Sequence, residues 1–376
     1  MKKILLILAV IFAPILFVGG AAYVYAAKKY NVSFNSVVWS IPQESDLYRE
    51  ADNLARGYPA VVKGNVEPAG MWMNRLLSDK ANELRALGVN TVTVMPYYEY
   101  REGRAELKDP GIIIMRGESS AKAVYLRQIV QAKKLGLAVF LTPNFVGPSG
   151  QIFAGADAPE NIPPDKFLED STRIALEWAK IAEEFKVEYF SPQGEIDLEI
   201  SLNYFGHDWG KRHEAIKANN QWHQSLLPEL RKVFGGRIVY KYTLESENIN
   251  ASGYDILAVD VGPWNDELDE FRDNMQRRFA IARASAAGAG ADWMVGEFWA
   301  PHGDGALGVP GGMNLNLYGE RGIKQETLYE IVFEEYARAS LEIPGAGFMF
   351  GSFLMPGTGI SGRPSEALVA EFFETL

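Results

Sequence analysis

Apolar residues along the chain fall into two alternating kinds of run. Short β-branched and aromatic runs read as buried strands, and longer runs with apolar positions three and four apart read as helices with one face inward. Strand-like runs lie at 37–39 or 60–62, 89–96 (VNTVTVMP), 137–145 (LAVFLTPNF), 187–190 (VEYF), 237–243 (RIVYKYT), 254–261 (YDILAVDV), 292–299 (DWMVGEFW) and 347–353 (GFMFGSF). Helix-like runs lie at 72–87, 120–135, 165–185, 213–234 (expected to be broken or bent near Pro228), 267–287, 325–337 and 364–375. Gly88 and Gly136 follow two of them and can end a helix. Counting one strand before residue 72 makes eight βα units, which favour a parallel sheet covered by helices. The pattern predicts the α/β class and a (β/α)8 barrel with long loops. A doubly wound nucleotide-binding sheet competes poorly. The only G-x-G-x-x-G, at Gly357, Gly359 and Gly362, comes after the last strand, and only 14 residues follow it. A βαβ unit does not fit there. The glycines read as a loop, with a phosphate site after the last two strands as the alternative.

The first residues follow a different pattern. After Met1-Lys2-Lys3, residues 4–27 carry no charge. As a helix this run would extend about 36 Å, enough to cross a hydrocarbon core of ~30 Å. Pro14 and Gly19-Gly20 interrupt it, and Val24-Tyr25-Ala26 suits a cleavage site. Residues 1–29 therefore read as a transmembrane anchor or a signal peptide, and 30–376 as one barrel domain. Either leader places the body outside the cytoplasm, membrane-anchored or secreted. A retained leader makes the lipid bilayer a partner through residues 4–27.

Composition removes several function classes. The chain has 376 residues, a net charge of −11, four histidines and no cysteine. The negative charge argues against nucleic acid as a partner. Without cysteine there is no thiolate zinc site, CxxC couple or cysteine nucleophile. His207, His213, His223 and His302 form no HExxH, so no metal is expected. Neither a G-x-S-x-G elbow nor a Walker A sequence occurs. No cofactor is implied.

Chemistry in a barrel gathers at the C-terminal ends of the strands. These ends carry Tyr97 and Tyr98; Asn144; Gln193, Glu195 and Asp197; Lys241 and Tyr242; Asp260 and Trp264; Glu297, Trp299 and, just beyond, His302. Glu195 and Glu297 stand apart, because each follows a glycine at the end of an apolar strand, the fourth and the seventh. Glycoside hydrolysis needs such a pair, one carboxyl to protonate the leaving oxygen and one to attack the anomeric carbon or activate water. Tyr97, Tyr98, Trp264 and Trp299 could offer flat apolar faces to a sugar ring, while Asn144, Gln193, Asp197, Tyr242, Asp260 and His302 could meet hydroxyls. Trp178 and Trp222 fall on helices and read as packing residues.

The strand ends resemble those of clan A glycoside hydrolases, which are retaining (β/α)8 enzymes, and within them the endo-β-mannanase-like family 113. The similar segments are 84–96 (LRALGVNTVTVMP), 132–143 (AKKLGLAVFLTP), 187–195 (VEYFSPQGE) and 295–299 (VGEFW). The resemblance implies Glu195 as acid/base and Glu297 as nucleophile, with carbohydrate as substrate and no cofactor. Two positions depart from it. Gly194 stands where much of the clan has Asn before the acid/base, and Phe350 and Phe353 are the nearest aromatics to a position that is commonly Trp at the end of strand 8. The expected function is a retaining glycosidase for β-linked poly- or oligosaccharides. A non-catalytic carbohydrate-binding barrel at the cell surface, or a transglycosylase, would share these features.

Overall fold

The computed structural model describes residues 42–67, 76–108, 120–145, 162–205, 211–263, 267–302, 323–354 and 357–376. The leader, the strand candidate at 37–39, His207 and Trp264 lie outside them. Eleven strands occur among the described residues: β1 (Val62–Val66), β2 (Thr91–Val94), β3 (Tyr97–Arg101), β4 (Arg104–Leu107), β5 (Ala138–Leu141), β6 (Asn144–Phe145), β7 (Tyr189–Phe190), β8 (Arg237–Tyr242), β9 (Ile256–Val261), β10 (Asp292–Phe298) and β11 (Gly347–Gly351). The helices are α1 (Glu44–Ala51), α2 (Leu76–Ala86), α3 (Ala121–Lys134), α4 (Pro164–Glu184), α5 (Ile196–Phe205), α6 (Arg212–Val233), α7 (Leu268–Ala289), α8 (Gln325–Glu342) and α9 (Pro364–Thr375).

Eight strands close into a barrel in the order β1-β2-β5-β7-β8-β9-β10-β11, and β11 returns to β1. Every neighbouring pair is parallel. This is the expected (β/α)8 barrel. Its strands are buried on both faces, as their near-continuous apolar sequences require. The interior is packed rather than hollow. At Gly64 a Cβ would come within 2.5 Å of the Met349 side chain, so the glycine makes room for a large neighbour.

The helix ends follow local chemistry. Ser120 caps α3 by accepting from Ala123 N at 3.1 Å. Gly88 and Gly136 take positive φ just beyond α2 and α3, where a Cβ would be strained. Helix α6 runs unbroken through Pro228.

Three pieces depart from the expected pattern. Helix α1 packs against α3 at the barrel wall. Helix α5 starts directly after Glu195. After β2 the chain forms a side sheet, β4-β3-β6, with β3 antiparallel to β4 and parallel to β6. The segment Tyr97-Tyr98-Glu99-Tyr100 is therefore a strand of its own. The loop holding Gly357, Gly359 and Gly362 is packed: Thr358 and Ile360 are buried, Gln325 donates to the Thr358 carbonyl at 2.9 Å, and the Gly362 N–H is taken by Glu366.

No described helix is long and apolar enough to cross a membrane.

Candidate active site

The two glutamates stand at the same end of the barrel and reach their positions by different devices. Glu195 lies in the turn between β7 and α5, where Gly194 N donates to Pro143 O at 3.1 Å and Glu199 N to Glu195 O at 3.0 Å. A Cβ on Gly194 would come within 3.2 Å of the Asn144 amide nitrogen. That amide belongs to the chain just beyond β5 and hydrogen-bonds the Glu195 side chain. The missing side chain at 194 thus leaves room for an asparagine supplied by the preceding strand.

Glu297 reaches the site through a bulge. On β10, Val295 pairs with Val259 and Glu297 with Asp260, so Gly296 is the extra residue. A bulge re-aims the side chain that follows it, and bulges recur beside active sites. Glycine is required at 296, because a Cβ there would lie 2.8 Å from Asp260 Oδ1 and 3.0 Å from the Ala258 Cβ. On the far side, a Cβ at Gly351 of β11 would sit 3.2 Å from Glu297 Oε1.

Lys241 stands beside Asp260 and Glu297. Its side chain is 2% exposed, pairs with Asp260, and approaches Glu297 Oε2 at 3.4 Å. Burial works against its charge, but Asp260, Glu297 and Glu195 together carry its pKa upward, so it stays an ammonium. The Glu195 carboxyl is pushed up to about 7, first by burial and then by the charges of Glu297 and Asp197, while Lys241 and the Asn144 amide oppose the rise. It therefore holds a proton at pH values where an ordinary carboxyl has lost it. Glu297 keeps 23% of its side-chain surface open.

The other expected contacts separate into two groups. Asn144 and Asp260 join the cluster, and Asp260 also accepts from Thr243 Oγ1 at 3.3 Å. Tyr242 is buried with its hydroxyl unpartnered among the described residues. Trp299 and His302 are half-buried, and His302 N donates to Gly357 O at 2.8 Å. The second group is turned into packing. Asp197 is fully buried and accepts from Thr243 N at 2.8 Å and Leu244 N at 2.7 Å, tying α5 to the end of β8. Gln193 donates to Glu199, whose carboxyl burial holds well above the usual range. Tyr97 and Tyr98 are buried, and the Tyr98 hydroxyl accepts from Trp178 Nε1 at 2.9 Å. Both have core surroundings on opposite faces of β3, Tyr98 against Trp178 of α4 and Tyr97 with its hydroxyl donating to Met95 Sδ at 3.2 Å. Trp178 and Trp222 are buried as expected of packing residues. Phe350 and Phe353 are both fully buried, so neither rings an open mouth.

Lys241 is the member that pattern reading named at a strand end without giving it a role. A single lysine in a run of apolar residues is a hint, since an ammonium inside a barrel requires a counter-charge. Arg278 of α7 is a second buried cation, donating to the carbonyls of Thr243 at 2.8 Å and Asp260 at 3.1 Å, and so bracing the ends of β8 and β9. Among the described residues, no group of three or more His, Asp or Glu is placed to hold a metal ion. A separate concavity, lined by Tyr48, Lys122 and Glu177 among others, lies on the outer wall between α1, α3 and α4, away from the glutamates.

No protein-family description matches the sequence, and no curated protein does. Solved structures do match in shape. A GH113 β-1,4-mannanase superposes with a TM-score of 0.58 at 17% identity, over 85% of this chain and 100% of the other. The GH113 β-mannanase AaManA of Alicyclobacillus acidocaldarius gives 0.58 at 16% identity, over 84% and 98%. A glycoside hydrolase family 5 mannosidase from Rhizomucor miehei gives 0.56 at 9% identity, over 85% and 94%. The chain has the barrel fold of the GH113 and clan A enzymes.

Proposed function

We propose that this protein is a retaining glycoside hydrolase acting on β-linked poly- or oligosaccharides. The observation that carries the reading is two carboxyls at one barrel mouth in unlike surroundings: Glu195 pushed up to about 7, first by burial, and Glu297 3.4 Å from Lys241 Nζ. Environments that hold two carboxyls in different protonation states assign acid and base. The fold it shares with mannanases and a mannosidase supports the same reading.

In the first step the Glu195 carboxyl gives its proton to the glycosidic oxygen as the C–O bond breaks, and a Glu297 oxygen bonds to the anomeric carbon. The aglycone leaves as an alcohol. In the second step ionised Glu195 takes a proton from water, the water oxygen bonds to the anomeric carbon, and Glu297 is released. The Asn144 amide holds Glu195 in place through both steps. The half-buried Trp299 stands just beyond Glu297 and offers a flat face to a sugar ring.

The leader supports an extracytoplasmic site of action, with residues 4–27 as anchor or cleaved signal. Fractionation of cells producing the full chain checks this placement.

A panel of β-linked glycans, assayed for both binding and reducing-end release, tests the activity. Release by the parent chain and its loss in Glu297→Ala and Glu195→Gln are expected. Binding without release would instead make the barrel a lectin-like module, and longer products would make it a transglycosylase.

A further inference from the structure

We infer that Gln325 is a positioning residue for substrate binding: its amide fixes the chain that carries Trp299 and His302 past the end of β10, at the barrel end that holds Glu297. The inference rests on the glycosidase reading for the identity of the ligand.

Glu297 and Trp299 are neighbours in the chain and are held by different means. Glu297 and Phe298 belong to the sheet, paired with Asp260 and Val261 of β9, and Phe298 also with Phe350 of β11. Beyond Phe298 the ladder ends, and the next peptide groups are held from outside the sheet. Gln325, the first residue of α8, donates from Nε2 to the Ala300 carbonyl at 2.8 Å and to the Thr358 carbonyl at 2.9 Å. One amide thus joins the chain after β10 to the loop after β11. His302 N makes a second tie between the same two segments, donating to Gly357 O at 2.8 Å. Pro301, between the two ties, has no N–H to offer.

The amide is itself fixed. Ser365, in the first turn of α9, donates from Oγ to Gln325 Oε1 at 2.9 Å. The two carbonyls can only accept, so the amide nitrogen has to face them and the amide oxygen has to face the hydroxyl. Gln325, Ser365, Thr358 and Ala300 are all buried, so water does not compete for these bonds. An ionised Glu of the same size could only accept and would leave both carbonyls unpaired. The different supports of Glu297 and Trp299 predict a split. Without the amide the segment from Trp299 to His302 is loosened, while the ladder still holds Glu297. Substrate binding should weaken and the chemical step should not.

The experiment compares two variants of the full chain that each lose buried hydrogen bonding from α8. Gln325→Met removes the amide with little change of shape. Tyr336→Phe, toward the other end of the helix, removes the bond from the Tyr336 hydroxyl to Gly347 O at 3.1 Å. The Trp299 indole is followed by 15N NMR in protein labelled at tryptophan, its signal assigned by its loss in Trp299→Phe. The signal should shift in Gln325→Met and stay in Tyr336→Phe. On a glycan that the parent cleaves, Gln325→Met should raise KM about tenfold, the scale of one or two hydrogen bonds, with kcat within about threefold of the parent. Tyr336→Phe should lower the melting temperature and leave KM and kcat near the parent values. An indole signal that stays in Gln325→Met or shifts equally in Tyr336→Phe, an unchanged KM, or a kcat that falls as far as KM rises overturns the inference. If Gln325→Met does not fold, Ser365→Ala, which removes only the bond that orients the amide, takes its place: a smaller shift of the same kind supports the inference, and none overturns it. If the panel shows binding without release, the glycan Kd is read in place of KM. If the parent neither binds nor cleaves any glycan, the glycosidase reading fails on the panel, while the indole signal still decides whether Gln325 holds the segment.

Discussion

The two ends of this barrel are built from the same residue types and solve opposite problems. At the N-terminal end, Glu188 is 1% exposed and its carboxylate accepts from Gly57 N at 2.8 Å, Val139 N at 2.9 Å and the Lys133 ammonium. Close by, Arg56 meets Glu183 and the Val187 carbonyl, and Asp255 accepts from Ile238 N at 2.7 Å. Each charge has its counter-charge. At the C-terminal end, Glu195, Glu297, Asp260, Asp197 and Glu199 form one acidic cluster with Lys241 as its cation, and buried oxygens of Asp260, Asp197, Glu199, Thr142 and Tyr242 have no partner among the described residues. One end is saturated and holds the barrel closed. The other is left acidic and under-bonded, which costs stability and leaves groups free to act on a ligand. Function in this fold concentrates at the under-bonded end for that reason.

The sharpest way to break this contrast is at Glu297. Glu297→Ala should lower kcat by about 10⁴-fold or more while leaving the melting temperature near the parent value, since it removes the proposed nucleophile and relieves an acidic cluster. Steady-state kinetics beside thermal unfolding would show it, and parent-like turnover would remove Glu297 from the mechanism. Glu195→Gln should cost about 10²–10⁴-fold, the usual contribution of a positioned acid/base.

Glu188→Ala should do the reverse. Breaking a buried pair and stranding two amides is expected to cost about 3–5 kcal/mol of stability, read by denaturant unfolding, with kcat of the folded fraction unchanged. A large drop in kcat there would show that the two ends are not separate in their roles. Gly296→Ala should be milder in stability, about 1–3 kcal/mol from overpacking against Asp260 and Ala258, yet it should also cut turnover, because the bulge sets where Glu297 stands.

The smallest effect is a pH dependence. Glu195 has a folded pKa raised from 4.5 to about 7. The folded state therefore binds this proton more tightly than the unfolded state does. Its contribution to stability is greatest at low pH and declines as pH rises from near 4.5 through about 7. Glu195→Gln should accordingly unfold at a higher temperature than the parent at pH 8, with the gap narrowing at pH 5. Scanning calorimetry at the two pH values would decide it.

Much of the barrel was legible from hydrophobic periodicity. The seven strand-like runs from 89 onward each contain a barrel strand, and β1 takes up the run at 60–62. Parallel strands buried on both faces leave such apolar runs in any sequence that forms them. The side sheet was not legible, because Tyr97-Tyr98-Glu99-Tyr100 follows β2 after only Met95 and Pro96 and reads as the end of that strand. Helix α5 was hidden for a similar reason: the chain turns from Glu195 straight into it, with no capping sequence to mark its start. Glu195 and Glu297 could be picked out because both sit at strand ends after a glycine. Tyr98 and Asp197 could be named but not oriented. Whether a side chain at a strand end meets solvent or a helix depends on what packs above it.

The sequence alone determined the class, the strand and helix runs, the acidic and cysteine-free chemistry, and the two glutamates, since these depend on local pattern and residue type. Only the tertiary structure decided that Asn144 fills the space beside Gly194, that a bulge at Gly296 re-aims Glu297, and that Lys241 pairs with Asp260 beside Glu297. Those contacts join residues 19 to 56 positions apart, as Lys241–Asp260 and Lys241–Glu297 do. Long-range pairing is set by the closure of the barrel, which brings strand ends together at distances that no local sequence pattern encodes.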